Sequence, residues 1–292
     1  MRSLLFVPGD STRKLDKALA SGADVLLVDL EDSVAPAAKA AARVTTAAFL
    51  KANVPAAGRP RLFVRVNAFD TGLTDDDLDT VVAAGAEGIV LPKAAGGPDV
   101  ARLDARIAVR EALADRPDGG VAILPIVTET ALAVFQCGTY RGSSARLAGL
   151  AWGGEDLAAD LGAHANRDAA GRWLEPYRLA RSLTLLGAAA AEVAPVDTVT
   201  VDFRNEAGLE AECRDAVRDG FTAKMAIHPA QVPVINALFT PSPEAVAEAE
   251  AIVEAFRAAG DVGVIGIAGK MVDRPHLRQA ERILARAGRS GR

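Results

Sequence analysis

Residues Val25 to Asp32 read Val-Leu-Leu-Val-Asp-Leu-Glu-Asp, a β-branched apolar run that turns acidic at its C-terminal end. A strand apolar on both faces belongs in a parallel sheet covered on both sides, so this stretch calls for helices around it. Ala/Leu-rich stretches of helical length flank it, and the unit recurs. The apolar runs are Leu4 to Val7, Val25 to Leu30, Leu62 to Val66, Gly88 to Pro92, Val121 to Val127, Leu147 to Trp152, Thr198 to Phe203 and Ala223 to Ile227. Eight βα units predict an α/β fold of the closed (β/α)8 TIM-barrel type. The rival, an open doubly wound sheet, expects a GxGxxG after its first strand, and here that strand ends in Pro8, Gly9 and Asp10. Gly263, Gly266 and Gly269 have the wrong spacing and lie near the C-terminus.

The rhythm stops near Pro241. Pro241 and Pro243 bracket a cap-like Ser242, and Glu244 to Ala258 reads as an amphipathic helix. A glycine-rich turn follows, and Pro275 to Arg286 reads as a last helix. The chain therefore divides into a barrel, residues 1–240, and a C-terminal helical extension, residues 241–292.

Composition narrows the function classes. Of 292 residues, 50% are hydrophobic and 24% charged, which is globular composition, far from that of a disordered chain. The formal net charge of -5 provides no cationic field for a nucleic acid backbone. Cys137 and Cys213 stand far apart, without a CxxC or a histidine cluster, which fits a reducing cytosol and excludes a zinc site. The N-terminal apolar run is too short for a signal peptide, and no stretch reaches membrane-spanning length. A cytoplasmic protein with no nucleic acid or membrane partner is expected.

Charges accumulate at the C-terminal ends of the runs. These are Asp29, Glu31 and Asp32 after the second, Arg65 and Asn67 on the third, Lys93 after the fourth and Glu129 after the fifth. Glu155 and Asp156 follow the sixth, Asp202 the seventh and His228 the eighth. In a (β/α)8 barrel those ends converge on one rim, the face that carries active sites. Period-two alternation groups Phe63, Arg65 and Asn67 on one face, Ile89, Leu91 and Lys93 on another, and Pro125, Val127 and Glu129 on a third. A guanidinium within Phe-Val-Arg-Val is costly to bury unpaired, so Arg65 meets either a protein carboxylate or an anionic ligand. Glu129 and Asp156, with no nearby histidine or cysteine in sequence, suit Mg²⁺ better than zinc. Gly153 and Gly154 allow close backbone approach to a ligand. Glu155 reads as an ordinary helix N-terminal acid. Lys93 is either a Schiff-base lysine or, the favoured reading, an ion-paired rim lysine. His228 either donates to a ligand or ties the strand end to its loop, and no Ser/His/Asp or Cys/His set is visible.

Along nearly its whole length the sequence resembles the citrate lyase β-subunit-like branch of the HpcH/HpaI aldolase/citrate lyase superfamily. The matching pieces are Leu5 to Gly9 (LFVPG), Asp29 to Val34 (DLEDSV), Val64 to Asn67 (VRVN), Leu91 to Lys93 (LPK), Glu129 with Thr130, and Gly153 to Leu157 (GGEDL). Phe221 to Pro229 (FTAKMAIHP) with Gln231, and Gly269 to Asp273 (GKMVD), complete the set. Where the resemblance expects Asp before Gly269, this chain has Ala268.

The resemblance implies a Mg²⁺-dependent lyase, with Mn²⁺ as a substitute, acting on the C–C bond of a 3-hydroxyacyl thioester. The thioester would be of malyl-, citramalyl- or citryl type on coenzyme A or an acyl carrier, and a 2-oxo acid such as oxaloacetate, glyoxylate or pyruvate would be released. It implies Glu129 and Asp156 as metal ligands, supported by Asp29, Glu31, Asp32 and Lys93. Arg65, with Gly153 and Gly154, would bind the oxo acid or thioester carbonyl. Lys14 and Lys17 would meet carrier phosphates, and Ile227 and His228 would line the thioester arm. Asp273 would be the general base, carried on a C-terminal lid and often serving a neighbouring subunit of a homo-oligomer, a trimer or a multiple of one. Two alternatives use the same residues: a malyl-thioester hydrolase, and a β subunit active only with carrier and transferase partners.

Overall fold

The computed structural model describes residues 1–54, 56–260, 262–267 and 269–290, and Ala268 lies outside them. The N-terminal unit, Met1–Asn236, alternates strand and helix. It runs β1 (Ser3–Pro8), α1 (Thr12–Leu19), β2 (Val25–Asp29), α2 (Lys39–Asn53), β3 (Arg61–Arg65), α3 (Thr74–Ala83), β4 (Gly88–Leu91), α4 (Gly97–Leu113), β5 (Ala122–Pro125) and α5 (Ala131–Val134). There follow β6 (Gly149–Ala151), α6 (Gly154–Asp160), α7 (Glu175–Ala191), β7 (Ala194–Asp197), α8 (Glu206–Asp219), β8 (Ala223–Ala226) and α9 (Gln231–Phe239).

The eight strands pair in parallel in the order β5-β4-β3-β2-β1-β8-β7-β6. The ring closes between β5 and β6 through bridges Ile123 to Leu147 and Ile126 to Ala151, with the Val127 N–H donating to the Ala151 carbonyl at 2.8 Å. The expected TIM barrel is the fold observed. Its interior is filled by Leu4, Val25, Leu27, Phe63, Val90, Leu124, Ile126, Ala151, Val196, Ala223 and Met225. Phe63 leaves no room opposite: a Cβ on Gly88 would lie 2.6 Å from its ring. Leu26, Val28, Leu62, Val64 and Ile89 are also fully buried. Burial of both strand faces is why the runs read as continuous apolar sequence.

Two sequence expectations need correction. The seventh strand is Ala194–Asp197, not Thr198 to Phe203. The Thr-Val-Thr-Val alternation looks like a strand but forms the loop beyond β7, so Asp202 is an exposed loop residue and not a strand end. Proline has no N–H for a strand ladder; Pro195 keeps its place in β7 with its carbonyl accepting from the Thr222 N–H at 3.1 Å. The face groupings also fail beyond β4 and β5: the interior is filled by Val90, Leu124 and Ile126 and not by Ile89, Leu91 and Pro125, yet Lys93 and Glu129, grouped with the latter, turn to the rim cluster.

Lys224, in β8, is fully buried between Ala223 and Met225, which face the interior. Its Nζ lies 3.0 Å from Asp197, 2.7 Å from the Thr198 carbonyl and 3.4 Å from Glu212 of α8. Lys224→Met should cost about 3–5 kcal/mol, because it leaves the buried Asp197 carboxylate without its ammonium partner. Urea unfolding followed by circular dichroism measures this, and an unchanged midpoint would mean that Asp197 finds a replacement partner.

The C-terminal unit, Ala237–Arg292, contains α10 (Pro243–Ala259), capped by the Ser242 hydroxyl accepting from the Ala245 N–H, and α11 (Arg274–Ser290). The expected glycine-rich turn is largely an antiparallel hairpin, β9 (Val264–Ile267) and β10 (Lys270–Asp273), with Gly269 at φ 77° in the connection. Glycine suits that left-handed position because it has no Cβ to clash. Among the described residues no helix is long and apolar enough to cross a membrane.

Candidate active site at the barrel rim

β2, β3, β4 and β5 deliver their terminal charges to one cluster. Arg65, at the end of β3, donates from Nε and Nη2 to the two oxygens of Asp29, each at 2.7 Å, across the β2–β3 register. Its Nη1 lies 2.8 Å from Glu31 Oε2. The angle there is too poor for a hydrogen bond, so Glu31 Oε2 is buried without a hydrogen-bond donor. The Phe6 ring supports the guanidinium at 4.8 Å. Of the two sequence readings of Arg65, the structure shows the protein-carboxylate one. Arg65 is a buried bridge, yet a guanidinium has five N–H groups and the carboxylates engage three nitrogens, leaving donors for a ligand.

Lys93 reaches the cluster for a reason alternation does not contain. Its φ is 51°, a left-handed turn after β4, which redirects the chain. Its N–H donates to Glu129 Oε2 at 2.5 Å, and its Nζ lies 2.5 Å from Glu31, 3.6 Å from Asp156 and 3.8 Å from Asp32. Lys93 is ion-paired, the favoured sequence reading. Burial pulls its pKa down, but the Glu31 bond and the surrounding carboxylates outweigh burial and hold it charged.

Glu129, almost fully buried at the end of β5, is pushed up to about 8 by burial and then by the Asp156 carboxylate. Burial also raises Glu31, against the pull of Arg65 and Lys93, whereas Asp29 falls below its ordinary value because its Arg65 bonds outweigh burial. Five carboxylates, Asp29, Glu31, Asp32, Glu129 and Asp156, therefore surround the two cations Arg65 and Lys93. That imbalance is suited to a divalent cation held by oxygen. Among the described residues no group of three or more His, Cys, Asp or Glu is arranged around one point. Mg²⁺ does not require one, since it retains waters and takes one or two carboxylates plus substrate oxygens.

Asp156 lies in the first turn of α6, after Gly153 and Gly154. Beside Glu31 and Lys93 a cleft of about 340 Å³ opens, bordered also by Asp32, Lys39, Asn67 and Thr71. At the end of β8 the Gln231 amide clamps the turn, accepting from the Ile227 and His228 N–H groups and donating to the Thr200 carbonyl at 2.8 Å. The His228 ring stacks on Phe203 at 4.5 Å, and its Nδ1 accepts from the Ala230 N–H. Lys14 and Lys17 are exposed on α1. In the C-terminal unit, Asp273 Oδ1 lies 2.5 Å from His276 Nδ1, and this bond first of all holds the Asp273 carboxyl below its ordinary value. Sequence reading did not find Gln231's clamp, Phe203's stack or the Asp273–His276 pair. The Gln three residues after His228 was the available signal for the first.

The family model for HpcH/HpaI aldolase/citrate lyase matches residues 2–229, and that for C–C bond lyases of the TIM-barrel fold matches residues 179–291. The chain is 35% identical over 292 residues to citrate lyase subunit beta of Escherichia coli, covering 99% of this chain and 94% of that protein. It is 35% identical over 296 residues to a (3S)-malyl-CoA thioesterase of Cereibacter sphaeroides, covering 98% and 94%. The crystal structure of CitE from Mycobacterium tuberculosis in complex with magnesium, acetoacetate and coenzyme A is similar at a TM-score of 0.77 and 33% identity, covering 98% of each chain.

Proposed function

This chain belongs to the HpcH/HpaI aldolase/citrate lyase family, and from that premise we propose that it is a Mg²⁺-dependent lyase of a 3-hydroxyacyl thioester, releasing an acyl thioester and a 2-oxo acid. The observation that carries the reading is the excess of carboxylate at the rim, where burial and Asp156 raise Glu129 to about 8. Glu129 and Asp156 are the residues that hold the ion. Bound there, Mg²⁺ supplies Lewis-acid polarisation of the oxygen on the carbon whose bond to the acyl group breaks.

The chain's own residues do the rest. Arg65, locked by Asp29, offers its remaining N–H groups to the oxo acid or to the thioester oxygen on which enolate charge collects. Gly153 and Gly154 let the backbone approach the acid. Lys93 neutralises Glu31 and orients Glu129 through its N–H. In cleavage the 3-hydroxyl loses its proton as the C2–C3 bond breaks, and the enolate carbon gains one. Asp273 is the group that gives or takes the proton at that carbon, carried by the extension 241–292 acting as a lid. Lys14 and Lys17 meet the carrier's phosphates, and Ile227 and His228 line its arm. The protein is proposed to be cytoplasmic and a homo-oligomer, a trimer or a multiple of one.

Incubating the purified chain with Mg²⁺ and malyl-, citramalyl- and citryl-thioesters tests the reading: a 2-oxo acid should form, and none above background would reject it. The similarity to a malyl-CoA thioesterase favours one second reading, in which water takes the acyl group, and release of free malate or citramalate identifies it. Activity only after a carrier and a transferase subunit are added would identify a β subunit.

Arg65→Lys should lower kcat by about 10²–10³, since lysine keeps the charge but cannot grip Asp29 with two bonds and still donate to an oxyanion. Steady-state kinetics measures this. Near wild-type turnover would reduce Arg65 to a structural bridge.

A further inference from the structure

Gly153 and Gly154 lead from β6 into α6, and space rather than backbone angle requires the pair. Gly153 sits at φ -120° and ψ 120°, open to any residue. A Cβ on it, however, would lie 2.8 Å from Glu129 Cγ, and a Cβ on Gly154 would lie 2.7 Å from ring carbons of Trp173. The turn that carries Asp156 therefore touches Glu129 at one residue and Trp173 at the next.

Trp173 comes from the segment between α6 and α7, to which no role has been assigned above. That segment folds as a small hairpin, with Arg167 bridging Trp173 and the Leu174 N–H donating to the Asn166 carbonyl at 2.9 Å. The Trp173 ring meets Trp152 edge-on at 5.1 Å, and the Arg167 guanidinium lies over it at 3.7 Å. Arg167 pairs with Glu212 at 2.6 Å, Glu212 lies 3.4 Å from Lys224, and Lys224 lies 3.0 Å from Asp197. Asp197 accepts from Trp152 Nε1 at 2.8 Å, which closes the ring of contacts on itself.

We propose that Trp173, clamped by Arg167, is a positioning residue for Asp156. The proposal rests on the assignment of Asp156 as a metal ligand. α6 has seven residues, too few to be stable alone, so its first turn takes its place from what it packs against. Mg²⁺ demands near-ideal octahedral geometry, so a small shift of that turn weakens the site. Outer partners of metal ligands typically contribute about 10–100-fold in metal affinity. A packing role alone would lower the melting temperature and leave metal affinity unchanged.

The test is Mn²⁺ binding to the full chain without substrate, measured by electron paramagnetic resonance, beside circular dichroism melts. Trp173→Ala should weaken Mn²⁺ binding about 10–100-fold, and Trp173→Phe, whose shorter ring fills the position but falls short of the outer carbons that meet Gly154, should lie between Trp173→Ala and wild type. Arg167→Ala removes only a partly exposed side chain, so it preserves the fold; it should weaken binding in the same direction and decides the matter if Trp173→Ala does not fold. Unchanged Mn²⁺ affinity in folded Trp173→Ala or Arg167→Ala protein overturns the proposal while leaving the metal site intact. A wild-type chain that binds no Mn²⁺ overturns both the metal-site assignment and the proposal.

Discussion

Glu129→Gln should reduce lyase activity to background and abolish its response to Mg²⁺, with the fold preserved, and Asp156→Asn should do the same. The amide fills the same volume but offers a neutral oxygen where a hard cation needs an anionic one. A Mg²⁺ titration of initial rates is the measurement, and activity at low Mg²⁺ in both variants would remove the site from consideration. Stability gives a second readout. In the ion-free protein Glu129 keeps its proton up to about pH 8, against 4.5 for a free glutamate side chain. Between those values the folded chain binds more protons than the unfolded one, so folding stability falls as pH rises through the window. Glu129→Gln lacks that loss, and its melting temperature should gain on wild type between pH 5 and pH 8. Adding Mg²⁺ at pH 8 should restore the wild type and leave the variant unmoved.

Asp273→Asn should lower the rate about 10²–10⁴-fold, the usual contribution of a general acid or base, while Mg²⁺ and 2-oxo acid binding persist. The competing role is local. Asp273 precedes α11 and its carboxylate bonds His276 in the first turn, so it can act as a helix cap. Loss of a cap would cost about 1 kcal/mol of stability and little rate. Steady-state kinetics beside thermal melts separates the two. If Asp273 serves a neighbouring subunit, mixed oligomers of Asp273→Asn and Glu129→Gln chains should recover part of the activity. No recovery after verified subunit exchange would confine it to its own chain.

The barrel was legible because every parallel strand is buried on both faces, which writes an apolar run into the sequence wherever a strand occurs. The gathering of Asp29, Glu31, Arg65, Lys93 and Glu129 was legible for a related reason: a closed parallel barrel brings all strand C-termini to one rim, so residues up to a hundred positions apart become neighbours. The seventh strand was misread because Thr198 to Val201 alternate β-branched residues more regularly than Ala194–Asp197 does. Local propensity was overruled there by pairing with β6 and β8.

Other features exist only in three dimensions. Alternation cannot foresee the left-handed turn at Lys93, because one φ angle beyond the strand's end changes which way every later side chain points. The division of Arg65 between Asp29 and a ligand depends on distances across the β2–β3 register. The glycines at 153 and 154 read as room for close backbone approach to a ligand, and only the fold adds that a Cβ there would meet Glu129 and Trp173. The ring from Trp173 through Lys224 to Trp152 joins residues of β7, β8 and α8, the end of β6 and the segment between α6 and α7, which no local pattern connects. Sequence by itself determined the fold and, the seventh strand apart, which strand ends carry charge, since both follow from periodic burial. Tertiary structure alone decided which charges pair and which ring supports them, since those depend on contacts between segments that no local pattern encodes.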